Sequence, residues 1–377
     1  MSIQQEAYIG VECLNNFHSV LKRLNPRKVF LVRGKKSYQL SGAESVINDA
    51  LIEFSPEVLP FSDFEENPKM EDVQKGLSYL EAFNPDIIIA IGGGSVLDIS
   101  KLIRFFYSYD GNPIGTEFYK KKDLLPLLAL PTTAGTGCEA THFAVMYKDK
   151  IKYSVEHDDV LPDYAFVYPP FTYNNPPYLT ACTGFDALAQ GIEAFWNVNA
   201  TKESDEYAIK SIKLLWPNLP IAVNNPTNEI RNKVAEGAYW AGRAINITKT
   251  TAPHAFSYAF TTYYGIPHGH AVALTFPFFF ELNSNRANKL NLSNNVNKYW
   301  KKIDNLKDLL CLPSDNVLNS FTLYINNIFP KHIRIDSSDK YLNLVNLERL
   351  KNNPILINNT IIEKIRYYLI QSKKLWQ

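Results

Sequence analysis

The chain has 377 residues, of which 46% are hydrophobic and 20% charged, and its formal net charge is +1. That length suggests two domains around sizeable buried cores, and the composition excludes wholesale disorder. The balanced charge excludes binding to nucleic acid driven by phosphate neutralisation, and no apolar run of about 18 residues is present to span a membrane.

Lys28 to Val32 reads as a buried strand, ended by the turn Arg33-Gly34-Lys35-Lys36. Ser41 to Phe54 carries helical periodicity, Val58 to Phe61 reads as a strand, and Met70 to Phe83 as a helix with Val73, Leu77, Leu80 and Phe83 inward. Ile87 to Ile91 is an uninterrupted apolar run of the kind found in central parallel strands. Leu125 to Leu130 is a further strand. This alternation argues for a doubly wound α/β layer. Phe143 to Tyr147 and Ile151 to Val155 flank Lys148-Asp149-Lys150, the signature of a hairpin with a three-residue loop. After Tyr164 to Val167, a Pro- and Asn-rich stretch (Pro169-Pro170, Asn174-Asn175-Pro176-Pro177) forms a linker. Helical periodicity then dominates: Leu179–Trp196, Glu203–Leu215, Glu229–Ile245, Ala255–Tyr263 and His270–Phe280. The expected division is an α/β domain over 1–172 and an all-helical domain over 173–377.

The start of the chain, Met1 to Glu6, has no basic or apolar leader character. Cys13, Cys138, Cys182 and Cys311 form no Cys-x-x-Cys pair, so neither a disulfide framework nor a cysteine zinc site is expected. A cytoplasmic protein without membrane or nucleic-acid partners is the expectation.

Four motifs carry chemistry. Gly92-Gly93-Gly94-Ser95 follows the Ile87–Ile91 strand and opens a helix, with Asp98 and Lys101 one and two turns on. Glycines let a ligand approach the backbone, and a helix N-terminus suits a pyrophosphate. A tight strand-to-helix turn without a ligand would use the same residues. Thr132-Thr133-Ala134-Gly135-Thr136-Gly137 follows the next strand; its hydroxyls suit a nicotinamide amide or a ribose, or cap their own turn. Asp186 and Gln190 are four apart and share a helix face, where their oxygens can meet one cation, or serve as a cap and an internal hydrogen-bonding group. Three of the seven histidines, His254, His268 and His270, lie in one short apolar region. That clustering points to metal or acid–base work.

These elements, in this order, resemble the iron-containing (group III) alcohol dehydrogenases from about Val29 to Pro277. The resemblance implies a dinucleotide-binding α/β domain, an all-helical domain related to dehydroquinate synthase, and a cofactor and metal that meet between them. It assigns Gly92, Gly93, Gly94, Ser95 and Asp98 to the pyrophosphate turn, and Thr132, Thr133 and Thr136 to the nicotinamide side. The family's metal ligands correspond to Asp186, His254 and His268, the two histidines fourteen positions apart. Gln190 stands where a histidine is usual. An amide oxygen is a poorer transition-metal ligand than an imidazole, so weaker binding, a harder ion than Fe or Zn, and lost metal dependence are the alternatives. Tyr258 replaces another frequent histidine; it and His270 are the candidates for delivering a proton.

A closer resemblance is to the phosphonoacetaldehyde reductase (2-hydroxyethylphosphonate dehydrogenase) branch. It is carried by Val58–Pro68, Lys152-Tyr153-Ser154-Val155, Gly242–Thr251 and Pro267-His268-Gly269-His270. A phosphonate needs charge-assisted donors, and Lys152, Lys249 and Arg243 are candidates, although Arg243 and Lys249 would equally pair with carboxylates of neighbouring helices. At the end of the first strand Gly34 and Lys35 stand where an acid would select NADH. NADPH is therefore expected over NADH, unless Lys35 and Lys36 are only solvated turn residues. The implied activity is reversible reduction of a small aldehyde to a primary alcohol, with a homodimer as one possible assembly. A general alcohol or polyol dehydrogenase, a sugar-phosphate lyase or cyclase, and a non-catalytic cofactor-binding protein are the rivals.

Overall fold

The computed structural model describes residues 5–149, 151–291, 296–313, 316–329 and 345–371. The chain divides into two units, Met1–Asn175 and Pro176–Gln377, three residues beyond the expected 172/173 boundary.

The first unit runs β1 (Glu6–Ile9), α1 (Cys13–Leu24), β2 (Lys28–Arg33), α2 (Ser37–Leu40), α3 (Ala43–Ile52), β3 (Glu57–Phe61), α4 (Met70–Phe83), β4 (Ile87–Gly92) and α5 (Gly94–Ser108). It continues through β5 (Tyr109–Gly111), β6 (Phe118–Lys120), β7 (Leu127–Pro131), β8 (Phe143–Lys148), β9 (Ile151–Glu156) and β10 (Tyr164–Val167). Six strands form a parallel sheet in the order β1-β10-β7-β4-β2-β3. Both faces are covered, which is why β4 is apolar and buried at every position. Ile87, Ile89 and Ile91 join the core containing Phe17, Val29 and Leu31. Ile88 and Ala90 face the opposite core with Phe30, Val32 and Leu102. The chain leaves β2 toward β3 on one side, and β4 toward β7 on the other, so the strand order reverses between β2 and β4. In doubly wound sheets the crevice beyond the carboxyl ends at that point binds ligands.

β1 and α1 lie outside the expected elements. A signal existed for α1, because Cys13, Phe17, Val20 and Leu21 are its buried stripe. The β8–β9 hairpin corrects the expected three-residue loop. Lys148 pairs with Ile151, leaving a two-residue turn of Asp149 and Lys150, the latter outside the described residues. Asp149 has φ 50°, which suits the short hairpin turns whose twist matches the strands.

The second unit contains α6 (Pro177–Trp196), α7 (Lys202–Asn224), α8 (Asn228–Thr248), α9 (Ala252–Tyr264), α10 (His268–Ala273) and α11 (Phe276–Ser284). After these come α12 (Val296–Leu309), α13 (Val317–Ile328), α14 (Leu347–Leu350) and α15 (Asn359–Gln371). α6 is central: it packs against α7, α8 and α10, and is buried almost all round. The expected helix ending at Leu215 runs on to Asn224 through Pro217 and Pro220. Pro220 cannot donate to the Trp216 carbonyl. Tyr324 does so instead, at 3.0 Å, with its ring stacked on Trp216. The expected helix His270–Phe280 is two helices, divided at Leu274–Thr275, because Pro277 in the first turn of α11 suits a helix start and not an interior. Among the described residues no helix is long and apolar enough to cross a membrane.

Candidate active site

In the first unit, Gly92 closes β4 and Gly93 caps α5. A Cβ on Gly92 would lie 2.4 Å from Val96, and one on Gly94 2.9 Å from Thr136. Gly92 and Gly94 thus leave no room for a side chain unless their neighbours shift, whereas Gly93 has ordinary contacts, and the first N–H groups of α5 have no acceptor within the helix. Gly34 belongs to the same crevice: it follows β2 and donates from its backbone to Ile91 at 3.4 Å. Lys35 is exposed beside it. The Thr132–Gly137 loop lies alongside, since Gly92 pairs with Pro131 and Thr132 N donates to Gly92 O at 2.9 Å. The Thr132 hydroxyl is buried with no hydrogen-bond partner. Thr133 is the nearest side chain to Gly93, and Ser95 Oγ accepts from Asn67 N at 3.1 Å. An orphaned hydroxyl beside a glycine turn at the switch point fits a dinucleotide.

Asp98 and Lys101 lie deeper. Lys101 Nζ is buried and donates to Cys138 O, Thr141 Oγ1 and Phe143 O at 2.9, 3.0 and 2.6 Å. It tethers the segment that follows the threonine loop to α5. Burial raises the Asp98 carboxyl, opposed by Lys101 and, further out, by Lys152 on β9.

In the second unit, α6 carries Asp186, Gln190 and Glu193 at intervals of four and three, on one face. Asp186 Oδ1 lies 3.1 Å from His254 Nε2 and 3.7 Å from His268 Nε2. Gln190 Nε2 donates to Asp186 Oδ2 at 3.2 Å, while Gln190 Oε1 is buried without a partner. Asp186, His254 and His268 offer ligand atoms all within 4.8 Å of one another. Close packing makes this possible: a Cβ on Gly269 would lie 1.8 Å from Cys182 O, so only glycine lets α10 rest on α6 and bring His268 to Asp186.

Glu193 completes the arrangement. Its Oε1 lies 2.5 Å from His254 Nδ1, and its Oε2 accepts from Thr251 N and Thr251 Oγ1 at 2.6 and 2.8 Å. Burial works to lower the His254 pKa, but Glu193 and Asp186 outweigh it and hold it up at about 10. Two buried carboxylates facing one imidazole leave surplus negative charge that a cation would neutralise. With the orphaned Gln190 oxygen, the nitrogen and oxygen donors fit a divalent transition metal. Sequence reasoning missed Glu193, although its signal was present seven residues after Asp186.

Tyr258 stacks on the His268 ring at 5.6 Å, and the His268 side chain is one-third exposed. His270 is set apart from the ligand group. It is buried, shares a 3.0 Å hydrogen bond with Tyr178, and stacks on Phe329. Burial lowers its pKa to about 4. Arg243 donates to Tyr239 and Tyr207, each at 3.3 Å, between α7 and α8. Lys249 follows α8, and Lys152 belongs to the first unit.

Residues 4–169 match the family model for iron-containing alcohol dehydrogenases, and residues 180–314 match that for the C-terminal part of the Fe-containing alcohol dehydrogenase family. The chain belongs to the iron-containing alcohol dehydrogenase family, and is an NAD(P)-dependent oxidoreductase acting on alcohols and aldehydes. It is 32% identical over 279 residues to long-chain-alcohol dehydrogenase 1 of Geobacillus thermodenitrificans, covering 72% of this chain and 70% of that one. It is 30% identical over 324 residues to the NADPH-dependent butanol dehydrogenase of Clostridium saccharobutylicum, with 82% of each covered. The crystal structure of sulfoacetaldehyde reductase from Bifidobacterium kashiwanohense in complex with NAD+ superposes with a TM-score of 0.81 at 28% identity, over 97% of this chain and 96% of that one.

Proposed function

We propose that this chain reduces a small anionic aldehyde to its primary alcohol, phosphonoacetaldehyde to 2-hydroxyethylphosphonate, with NADPH as the preferred reductant. The observation that carries the reading is the convergence of Asp186, His254 and His268 beside the unpartnered Gln190 oxygen. These four residues would hold a divalent ion, Fe or Zn. Gly92, Gly93, Gly94, Ser95, Thr132, Thr133 and Thr136 would line the dinucleotide, with Asp98 behind them. Gly34 and Lys35, with no acid at that turn, favour a 2′-phosphate. When bound, the ion polarises the carbonyl oxygen and the nicotinamide supplies hydride.

The protein's own groups set the rest. Glu193 fixes the His254 ring through Nδ1 and turns Nε2 toward Asp186. Tyr258 Oη is better suited than His270 to deliver the proton that completes the alcohol. Its ring lies on partly exposed His268, whereas burial keeps His270 neutral near pH 7. Lys249, Lys152 and Arg243 are the candidate donors to a phosphonate, and the likeness to a reductase of another small anionic aldehyde supports that substrate class.

The test follows NADPH oxidation by purified protein with phosphonoacetaldehyde, acetaldehyde and butanal. Faster turnover of phosphonoacetaldehyde is expected, whereas equal rates remove the phosphonate. Chelation, His254→Ala and His268→Ala should each abolish turnover; full activity in metal-free protein overturns the metal. The butanol and long-chain-alcohol dehydrogenase relatives favour a second reading, a general alcohol dehydrogenase, and the same panel separates it.

A further inference from the structure

Thr251 opens α9 but does not cap it. Thr201 and Thr227 stand at the same place before α7 and α8, and there Oγ1 accepts from the backbone N–H of Ser204 and Ile230 at 3.1 and 3.2 Å. That is the usual work of a threonine at a helix start. Before α9 the Thr251 side chain makes no such cap bond, although His254 stands third in the helix, where its backbone N–H would be the partner. The hydroxyl lies instead between the Trp196 indole, 3.0 Å from Nε1, and the Glu193 carboxylate, 2.8 Å from Oε2.

The chemistry of these groups fixes the direction of the chain of bonds. An indole N–H only donates, so Thr251 Oγ1 accepts from Trp196 and its one proton goes to Glu193. With the Thr251 backbone N–H at 2.6 Å, Oε2 then receives two donors. Oε1 is left for His254 Nδ1, and Nε2 of that ring faces Asp186 in the cation-binding group. The Trp196, Thr251, Glu193 and His254 side chains are all buried, where hydrogen bonds are strong and an unmade one is costly. The indole is itself clamped: it stacks on Phe276 at 5.7 Å and meets Phe280 edge-on at 5.6 Å, both on α11. A hydroxyl withdrawn from the helix it precedes and given to Glu193 serves the imidazole behind that carboxylate.

We propose that Thr251, aimed by the Trp196 indole, is a positioning residue for the divalent ion: it steadies Glu193, and through it the direction in which His254 offers Nε2. This rests on the reading above that Asp186, His254 and His268 hold that ion. The experiment uses the full-length protein freed of metal by chelation, as wild type, Thr251→Val, Thr251→Ser, Trp196→Phe and the double variant Trp196→Phe with Thr251→Val. Calorimetric titration with Zn2+ gives the affinities, and the visible absorption of the Co2+-loaded proteins reports the ligand geometry.

Thr251→Val keeps the shape of the side chain and removes the hydroxyl. Zn2+ affinity should fall about 10-fold, and the Co2+ bands should depart from those of wild type. Thr251→Ser should restore both. Trp196→Phe should cost about 3-fold, and the double variant should bind like Thr251→Val, because the indole acts through a hydroxyl that is then gone. Wild-type affinity and bands in Thr251→Val, or a loss that serine does not restore, overturns the role of Thr251. Losses that multiply in the double variant overturn the link from Trp196. If Thr251→Val does not fold, Trp196→Phe decides alone, and wild-type Zn2+ affinity there overturns the proposal. Wild type that takes up neither ion overturns the metal reading and this inference together.

Discussion

His254 Nδ1 lies 2.5 Å from Glu193 Oε1, while the other nitrogen of the same ring lies 3.1 Å from Asp186 Oδ1. The imidazole is thus gripped between two carboxylates of one helix, set seven positions apart. One faces the proposed cation, and the other orients the ring from behind.

Glu193→Gln keeps the size of this support and removes its charge. Outer-shell partners of a metal-bound histidine typically contribute about 10- to 100-fold in affinity. Calorimetric titration of apoprotein with Zn2+ should show a loss of that order. Unchanged affinity would mean that Glu193 serves only to hold Thr251.

Gln190→His should tighten Zn2+ more than Mn2+, because imidazole nitrogen suits the former and carbonyl oxygen the latter. Competition titrations with both ions read the two constants separately. Equal tightening of both, or none, would separate position 190 from the choice of ion.

Gly269→Ala places a methyl group against the Cys182 carbonyl oxygen, and backbone cannot rotate away as a side chain can. Overpacking of this kind costs about 1–3 kcal/mol. The urea midpoint should fall, and the same variant should bind Zn2+ more weakly as α10 moves His268 from Asp186. Wild-type values for both would show that α10 tolerates the shift.

Glu139, buried just after the threonine loop of the first unit, is pushed by burial from 4.5 up to about 7, against a backbone hydrogen bond and the charge of Lys101. Between those values the folded state keeps a proton that the unfolded chain releases. The contribution to stability is therefore fully present below about pH 4.5 and is lost as pH rises through 7, on the order of a few kcal/mol. Glu139→Gln has no charge to bury, so its urea midpoint should change less between pH 5 and pH 8. Parallel slopes in the two proteins would exclude Glu139 as their source.

Local pattern made much of this molecule legible. α4 covers the expected Met70–Phe83, because its apolar stripe and polar first turn agree with its packing. The run Ile87–Ile91 announced a strand buried on both faces. The motifs also named the residues that gather around Asp186, although histidines 254 and 268 carry no information about the chain's path between them.

Other features follow from contacts distant in sequence, and local pattern is silent about them. The expected helix stops at Leu215, yet α7 runs on past Pro217 and Pro220, where Tyr324, 108 positions from Trp216, takes up a carbonyl that proline leaves open. Clustering alone groups His270 with its neighbour two residues earlier, and only the resemblance gives them different roles; in the fold the two rings leave α10 for different surroundings. One meets Asp186 and the other is sealed under Phe329. Residue types, spacing and period were thus set by the amino-acid order alone. That His268 and not His270 reaches Asp186 was decided by the close approach of α10 to α6 at Gly269, because a side chain's partners are fixed only once the backbones that carry them have packed.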